Sequence, residues 1–193
     1  NCNAWIDFYS SRQFSLLLIY AYYQINVNTG FVYYNLEKDS VSKIDNSASP
    51  CILFLLDGEV SIDSGEYQNV HIEKDKMVLI PQHVDNKIEV IYDAKCLLLF
   101  WNKDIRVCDK VYMNSLSSYK ERKKEMCVLP IRDPLQAVLN SIVAYLYAKM
   151  QCKHMHLIKQ QEVLLVLRGY YTKKELFTFF SSILGNTGHF EDF

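Results

Sequence analysis

Residues 51–63 read CILFLLDGEVSID, and how this stretch is divided decides the fold. Its first part, after Pro50, is a continuous apolar run of the length of a strand buried on both faces. Asp57-Gly58 carries a turn signal, and the second part alternates, with Val60 and Ile62 on one side. The same grammar repeats outward. "FVYYNLEK" from Phe31 is aromatic and β-branched, Ser64-Gly65 is a turn, "VHIE" alternates and Asp75-Lys76 turns again. "MVLIP" stops at Pro81, "KIEVIYD" puts Ile88, Val90 and Tyr92 on one face, and "CLLLFW" is apolar throughout. Short strands about ten residues apart, with turns between them, specify a β-sandwich or barrel over residues 31–130.

From Pro134 the period becomes helical, with Leu135, Val138, Leu139, Ile142, Val143 and Leu146 on one face. Asp133 suits the N-cap and Pro134 the first helical position. A second helix spans about 154–171. Its "VLLVL" is apolar nearly all round, which implies burial on more than one side. Thr172 and Glu175 form a capping box, so a third helix starts at 173 and stops at Gly185. Residues 131–193 are thus a helical subdomain, and the class is α+β. In residues 1–30 the apolar positions are too dense to show a period. A helix within 4–25, ending before the Asn28-Thr29-Gly30 turn, is the expectation there. After Trp101 we expect a short helix near 107–116, then the solvated charged run YKERKKE at 119–125.

Bulk properties narrow the function. Lys and Arg total 21 against 22 Asp and Glu, a net charge of −1. A stand-alone nucleic-acid binder needs a basic surplus to neutralise phosphates, so this chain alone is not expected to bind DNA. The most apolar N-terminal run, Phe14 to Ile25, is too short to span a bilayer and lacks a signal-peptide cleavage site. No membrane partner is expected. Cys2, Cys51, Cys96, Cys108, Cys127 and Cys152 form no CxxC pair, which suggests reduced thiols and a cytoplasmic location. The 14 tyrosines suit a partly polar cavity or interface, or a core with wet edges.

No phosphate loop, GxSxG elbow or HExxH motif occurs, so no catalytic residue and no cofactor are assigned. Residues 51–101 resemble the double-stranded β-helix, or jelly-roll barrel, of cupins. A cupin enzyme holds a divalent metal with a His-x-His pair and a Glu, then a Pro-x-Gly-x-x-His motif. Here Asp57-Gly58-Glu59 opens the first motif, but no histidine follows until His71. Pro81 survives in the second, with His83 at the glycine position and Asn86 at the metal-histidine position. The resemblance therefore implies the fold without its metal ligands. His154 and His156, two apart, point about 200° apart on a helix and cannot share a metal from one face. Two alternatives stand beside a binding module: a small cupin enzyme (sugar isomerase or dioxygenase), and a filled barrel that binds nothing.

Residues 35–193 also resemble the N-terminal half of AraC-type transcription regulators, in particular the Bacteroidetes versions. "ILFLLDGEVSI", "MVLIPQHVDNKIEV", "LLLFW" and "PLQAVLNSIVAYL" carry the likeness. "HLIKQQEVLLVLRGYYTKKELFTFFSSIL" with the closing "HFEDF" is its most specific part. The resemblance implies a barrel that binds a small effector, such as a sugar or other metabolite, and helices that pair two subunits. It implies DNA reading only through a helix-turn-helix half beyond this sequence, as in a truncated chain or a naturally short relative. Strand parity then places Phe54, Leu56, Ile62, Ile88, Val90, Tyr92 and Phe100 on the ligand-facing side, with His83 near the mouth. On the second helix, Leu157, Gln161, Leu164 and Arg168 form the stripe expected at a dimer interface, or at a packing seam within the subunit.

Overall fold

The computed structural model describes residues 24–25, 30–101, 126–150 and 152–184. The expected helix near 107–116 and the charged run 119–125 lie outside them. So does the expected N-terminal helix, except Gln24-Ile25, which are extended instead. The strands are β1 (Gln24–Ile25), β2 (Gly30–Leu36), β3 (Val41–Ile44), β4 (Cys51–Ser64), β5 (Tyr67–Glu73), β6 (Lys76–Ile80), β7 (Asn86–Phe100) and β8 (Val128–Pro130). The helices are α1 (Asp133–Tyr147), α2 (Lys153–Tyr170) and α3 (Lys173–Leu184).

The sheet is built on two long strands, where the sequence reading expected four short ones. β4 passes straight through Asp57-Gly58, and β7 joins "KIEVIYD" to "CLLLFW". The two pair antiparallel along their whole length, from Cys51↔Phe100 to Ser64↔Asn86. At one end β6 continues the sheet beyond β4 and β8 beyond β6, while β2 flanks β7. At the other end β5 flanks β4, β3 flanks β7, and β1 runs parallel to β3. Between the ends the register shifts several times from Leu55 to Val60. Such irregularities bend a strand, and here they separate the half of the sheet flanked by β2 and β6 from the half flanked by β3 and β5. Gly58 sits at the corner with φ +84°, and a Cβ there would lie 2.2 Å from the Asp93 carbonyl oxygen. The glycine that reads as a hairpin signal is required by a close backbone approach inside a strand. Asp57 beside it is bridged by Lys74 (3.3 Å) and Lys95 (3.6 Å).

Two apolar cores result. The inner one joins Leu53, Ile62, Ile72, Ile80, Ile88 and Phe100 from both halves. The outer one lies between the opposite face of the β2–β7–β4–β6 half and the helices, and holds Ile52, Phe54, Leu97, Leu99 and Trp101. Against them α1 buries Leu135, Leu139 and Ile142, α2 buries Val163, Leu164 and Leu167, and α3 buries Leu176, Phe177 and Phe180. Trp101 and Phe180 meet edge to face at 5.8 Å. The capping box forms: the Glu175 amide donates to Thr172 Oγ1 (3.2 Å), and the Thr172 amide donates to Glu175 Oε2 (2.7 Å). The N-cap of α1 is Arg132, one residue earlier than expected, and Asp133 becomes the first-turn acid. No described helix is long and apolar enough to cross a membrane.

Candidate functional site

The inner core is where the expected ligand-facing residues belong, and the strand corner decides which reach it. Ile62, Ile88, Val90 and Phe100 are in the inner core. Phe54 and Leu56 are not; they pack with the outer, helix-facing core. In β4 the inner positions are Cys51, Leu53 and Leu55 before the corner and Val60 and Ile62 after it. Leu55 and Val60, the inward positions that flank the bend, are an odd five residues apart, which switches the parity, so extrapolating back from Ile62 assigns the first half wrongly. Tyr92 is also misassigned. It lies opposite Glu59 at a register shift, 58% exposed.

At the end of the inner core far from β8, its character changes. Val60, Ile62 and Ser64 alternate inward along β4, and Asn86, Ile88 and Val90 along β7. Ser42 and Ile44 do so from β3. Asn86, at the position where the cupin resemblance places a metal histidine, is buried and ties β3 to β7. Its Oδ1 accepts from the Ile44 amide (2.8 Å), and its Nδ2 donates to the carbonyls of Ile44 (2.9 Å) and Val84 (3.3 Å). Asn46 Nδ2 closes the adjoining loops by donating to Pro81 O (2.6 Å) and Val84 O (2.8 Å). Ser42 Oγ and Ser64 Oγ are different: both are buried with no hydrogen-bond partner among the described residues. These hydroxyls were missed in the sequence: Ser64 continues the legible alternation of Val60 and Ile62, but the strand that carries Ser42 was not read there at all.

Among the described residues no buried side chain is charged. Burial pushes the Cys96 thiol up to about 12. Burial, with Cys96 nearby, also raises Cys51 well above its ordinary value, so neither supplies a thiolate near neutrality. His83 is exposed in the loop after β6, with left-handed φ +61°, and its amide donates to Asn46 O (3.2 Å). His71 is half exposed and pairs with Glu59 at 3.2 Å. Among the described residues no group of three or more His, Cys, Asp or Glu is placed to hold a metal ion. Tyr92 instead lines an open surface groove of about 470 Å3 with Lys38, Asp39 and Ser40. The Lys38 ammonium sits 5.7 Å from the Tyr92 ring centre.

On α2 the expected stripe is displaced. Leu164 is buried in the outer core, while Leu157, Gln161 and Arg168 are partly exposed. The exposed apolar side chains are Ile158 (62%) and Leu165 (63%), seven residues and two turns apart on one face. A helix that is apolar nearly all round gives no phase from sequence, so the buried and open faces separate only on folding.

No protein-family model matches the chain, and no curated protein matches it. Solved structures do. Apo ToxT from Vibrio cholerae, an AraC-family protein, aligns over 80% of this chain and 58% of its own at 16% identity, with a TM-score of 0.50. A cupin-2 domain protein from Shewanella frigidimarina aligns over 37% of this chain and 69% of its own (16% identity, TM-score 0.33). A mutant of Bacillus subtilis oxalate decarboxylase aligns over 42% and 23% (10% identity, TM-score 0.34). The chain thus shares its fold with ToxT over 80% of its length, and spans little more than half of the ToxT chain.

Proposed function

We propose that this chain is the effector-sensing and dimerisation part of an AraC-type transcription regulator. In this reading the two sheet halves are the double-stranded β-helix barrel. A small neutral metabolite, a sugar among the candidates, binds between them, and α2 pairs two subunits. DNA is read by a helix-turn-helix domain outside this sequence, and the protein works in the cytoplasm. Effector binding acts by favouring one of two dimer arrangements, which requires different affinities for the two.

The observation that carries the reading is the pair of hydroxyls, Ser42 and Ser64, without partners among the described residues, in a largely apolar interior whose other polar group there, Asn86, is satisfied by backbone. A buried hydroxyl without a partner costs about 1–3 kcal/mol, so a ligand that completes it gains that much in recognition. Few polar groups in an apolar enclosure are the usual make-up of a small-molecule site. Among the described residues no buried charge is available to offset the desolvation of an ionic ligand, which favours a neutral one. A receptor is favoured over a metal enzyme because Asn86 has both ends of its amide occupied by backbone. The exposed Ile158 and Leu165 support pairing through α2.

A thermal-shift screen of neutral metabolites tests the binding claim. A hit should raise the melting temperature of the protein and not that of the Ser42→Ala, Ser64→Ala double variant. Stoichiometric divalent metal in the purified protein, or equal shifts in both proteins, would overturn it.

A further inference from the structure

The amide of Phe31, at the start of β2, donates to the Nδ1 of His156 on α2 at 3.0 Å, across 125 residues of sequence. The seat for the imidazole is shaped to fit. Gly30 has φ +99°, and a Cβ there would lie 2.9 Å from His156 Cγ and Nδ1. The Phe31 ring stacks on the imidazole with centroids 6.3 Å apart and planes 17° from parallel. A nitrogen that accepts a hydrogen bond carries no proton, so this contact exists only with neutral His156.

We propose that His156 is an acid-labile latch between the start of β2 and the first turn of α2. A proton taken from solvent at Nδ1 removes the acceptor and sets two N–H donors against each other. The strand end then parts from the helix. Among the described residues nothing nearby offsets the new charge. β2 brings Gly30 and Phe31 to the ring, and Gly30–Leu36 contains no charged residue. On α2 itself Lys153 and His154 are exposed, and Lys159 is engaged by Glu162 and Ser141. From α1 the groups near this seam are neutral tyrosines, Tyr145 under Lys159 and Tyr147 against Tyr33. Burial holds the imidazole below its ordinary value, with no carboxylate or cation contributing among the described residues. The latch is therefore fully closed above the ordinary histidine range and is lost as pH falls through the lowered value.

The test is a pH series from 7.5 to 5 on the intact chain, following Phe31 amide protection against hydrogen exchange and the His156 Cε1–H shift. Protection should fall about tenfold or more with the same midpoint as the His156 shift. In His156→Asn, whose Oδ1 accepts without titrating, that step should be absent. Protection that stays constant while His156 titrates, a different midpoint, or the same step in His156→Asn would overturn the proposal. The comparison of midpoints in the unaltered protein decides the matter even if the variant does not fold.

Discussion

A Cβ on Gly58 would lie 2.2 Å from the carbonyl oxygen of Asp93 and 2.6 Å from the Ala94 Cα. Both obstacles are backbone, and φ at Gly58 is +84°. Gly58→Ala should therefore destabilise the protein by about 3 kcal/mol or more, since it combines a clash with a left-handed conformation. Gly169 in α2 has nothing within 4 Å of its would-be Cβ. Gly169→Ala should stabilise by up to about 1 kcal/mol through helix propensity. Urea unfolding midpoints of the two variants check both signs.

Gly58 also shows where sequence reasoning stops. Asp57-Gly58 between two apolar-patterned runs has the signature of a hairpin, and its local chemistry is the same whether the chain reverses or bends. Only pairing with β7 distinguishes the two, and that is a long-range fact. The misplacement of Phe54 and Leu56 follows from this one ambiguity, because a bulge of unknown size breaks the parity of β4; β7 keeps its parity from Ile88 to Phe100, and Tyr92 is exposed because it lies at the corner itself. Ile62, Ile88 and Val90 lie on one side of the corner, so their common face was legible. The Thr172–Glu175 capping box was legible because it is set by residues three apart. The His156–Phe31 contact was not, because 125 residues separate the partners.

The capping box should be measurable in both stability and pH dependence. Thr172→Ala should cost about 1 kcal/mol. The Thr172 amide, with its hydroxyl and Arg132 behind it, holds the Glu175 carboxyl below the ordinary glutamate range. A carboxylate with a depressed folded pKa contributes stability above its unfolded value and loses it as pH falls through the folded one. Glu175→Gln should thus flatten the loss of stability in acid. Denaturant titrations between neutral pH and pH 3 will show whether the slopes differ.

Neighbouring leucines on α2 should behave in opposite ways. Leu164→Ala removes a side chain from the outer core and should destabilise the fold by about 2–5 kcal/mol. Ile158→Asp with Leu165→Asp changes only exposed positions, so it should leave the melting temperature of a monomer nearly unchanged. It should nonetheless shift sedimentation at high concentration from dimer to monomer. A wild-type chain that sediments as a monomer would count against pairing through this face.

Ser42 and Ser64 test whether the interior polarity is structural. Neither hydroxyl has a partner among the described residues, so single Ser→Ala changes should leave stability unchanged or raise it by up to about 1–3 kcal/mol. A loss beyond 1 kcal/mol, read from chemical unfolding, would show that these groups hold the fold.

The most direct test of the receptor reading is a high-resolution crystal structure of the chain purified from its own cells, inspected for density between the sheet halves. The account predicts a small organic molecule hydrogen-bonded to Ser42 Oγ and Ser64 Oγ, against Ile62 and Ile88. An interior closed by side chains and water alone, with both hydroxyls satisfied by that water, would contradict it.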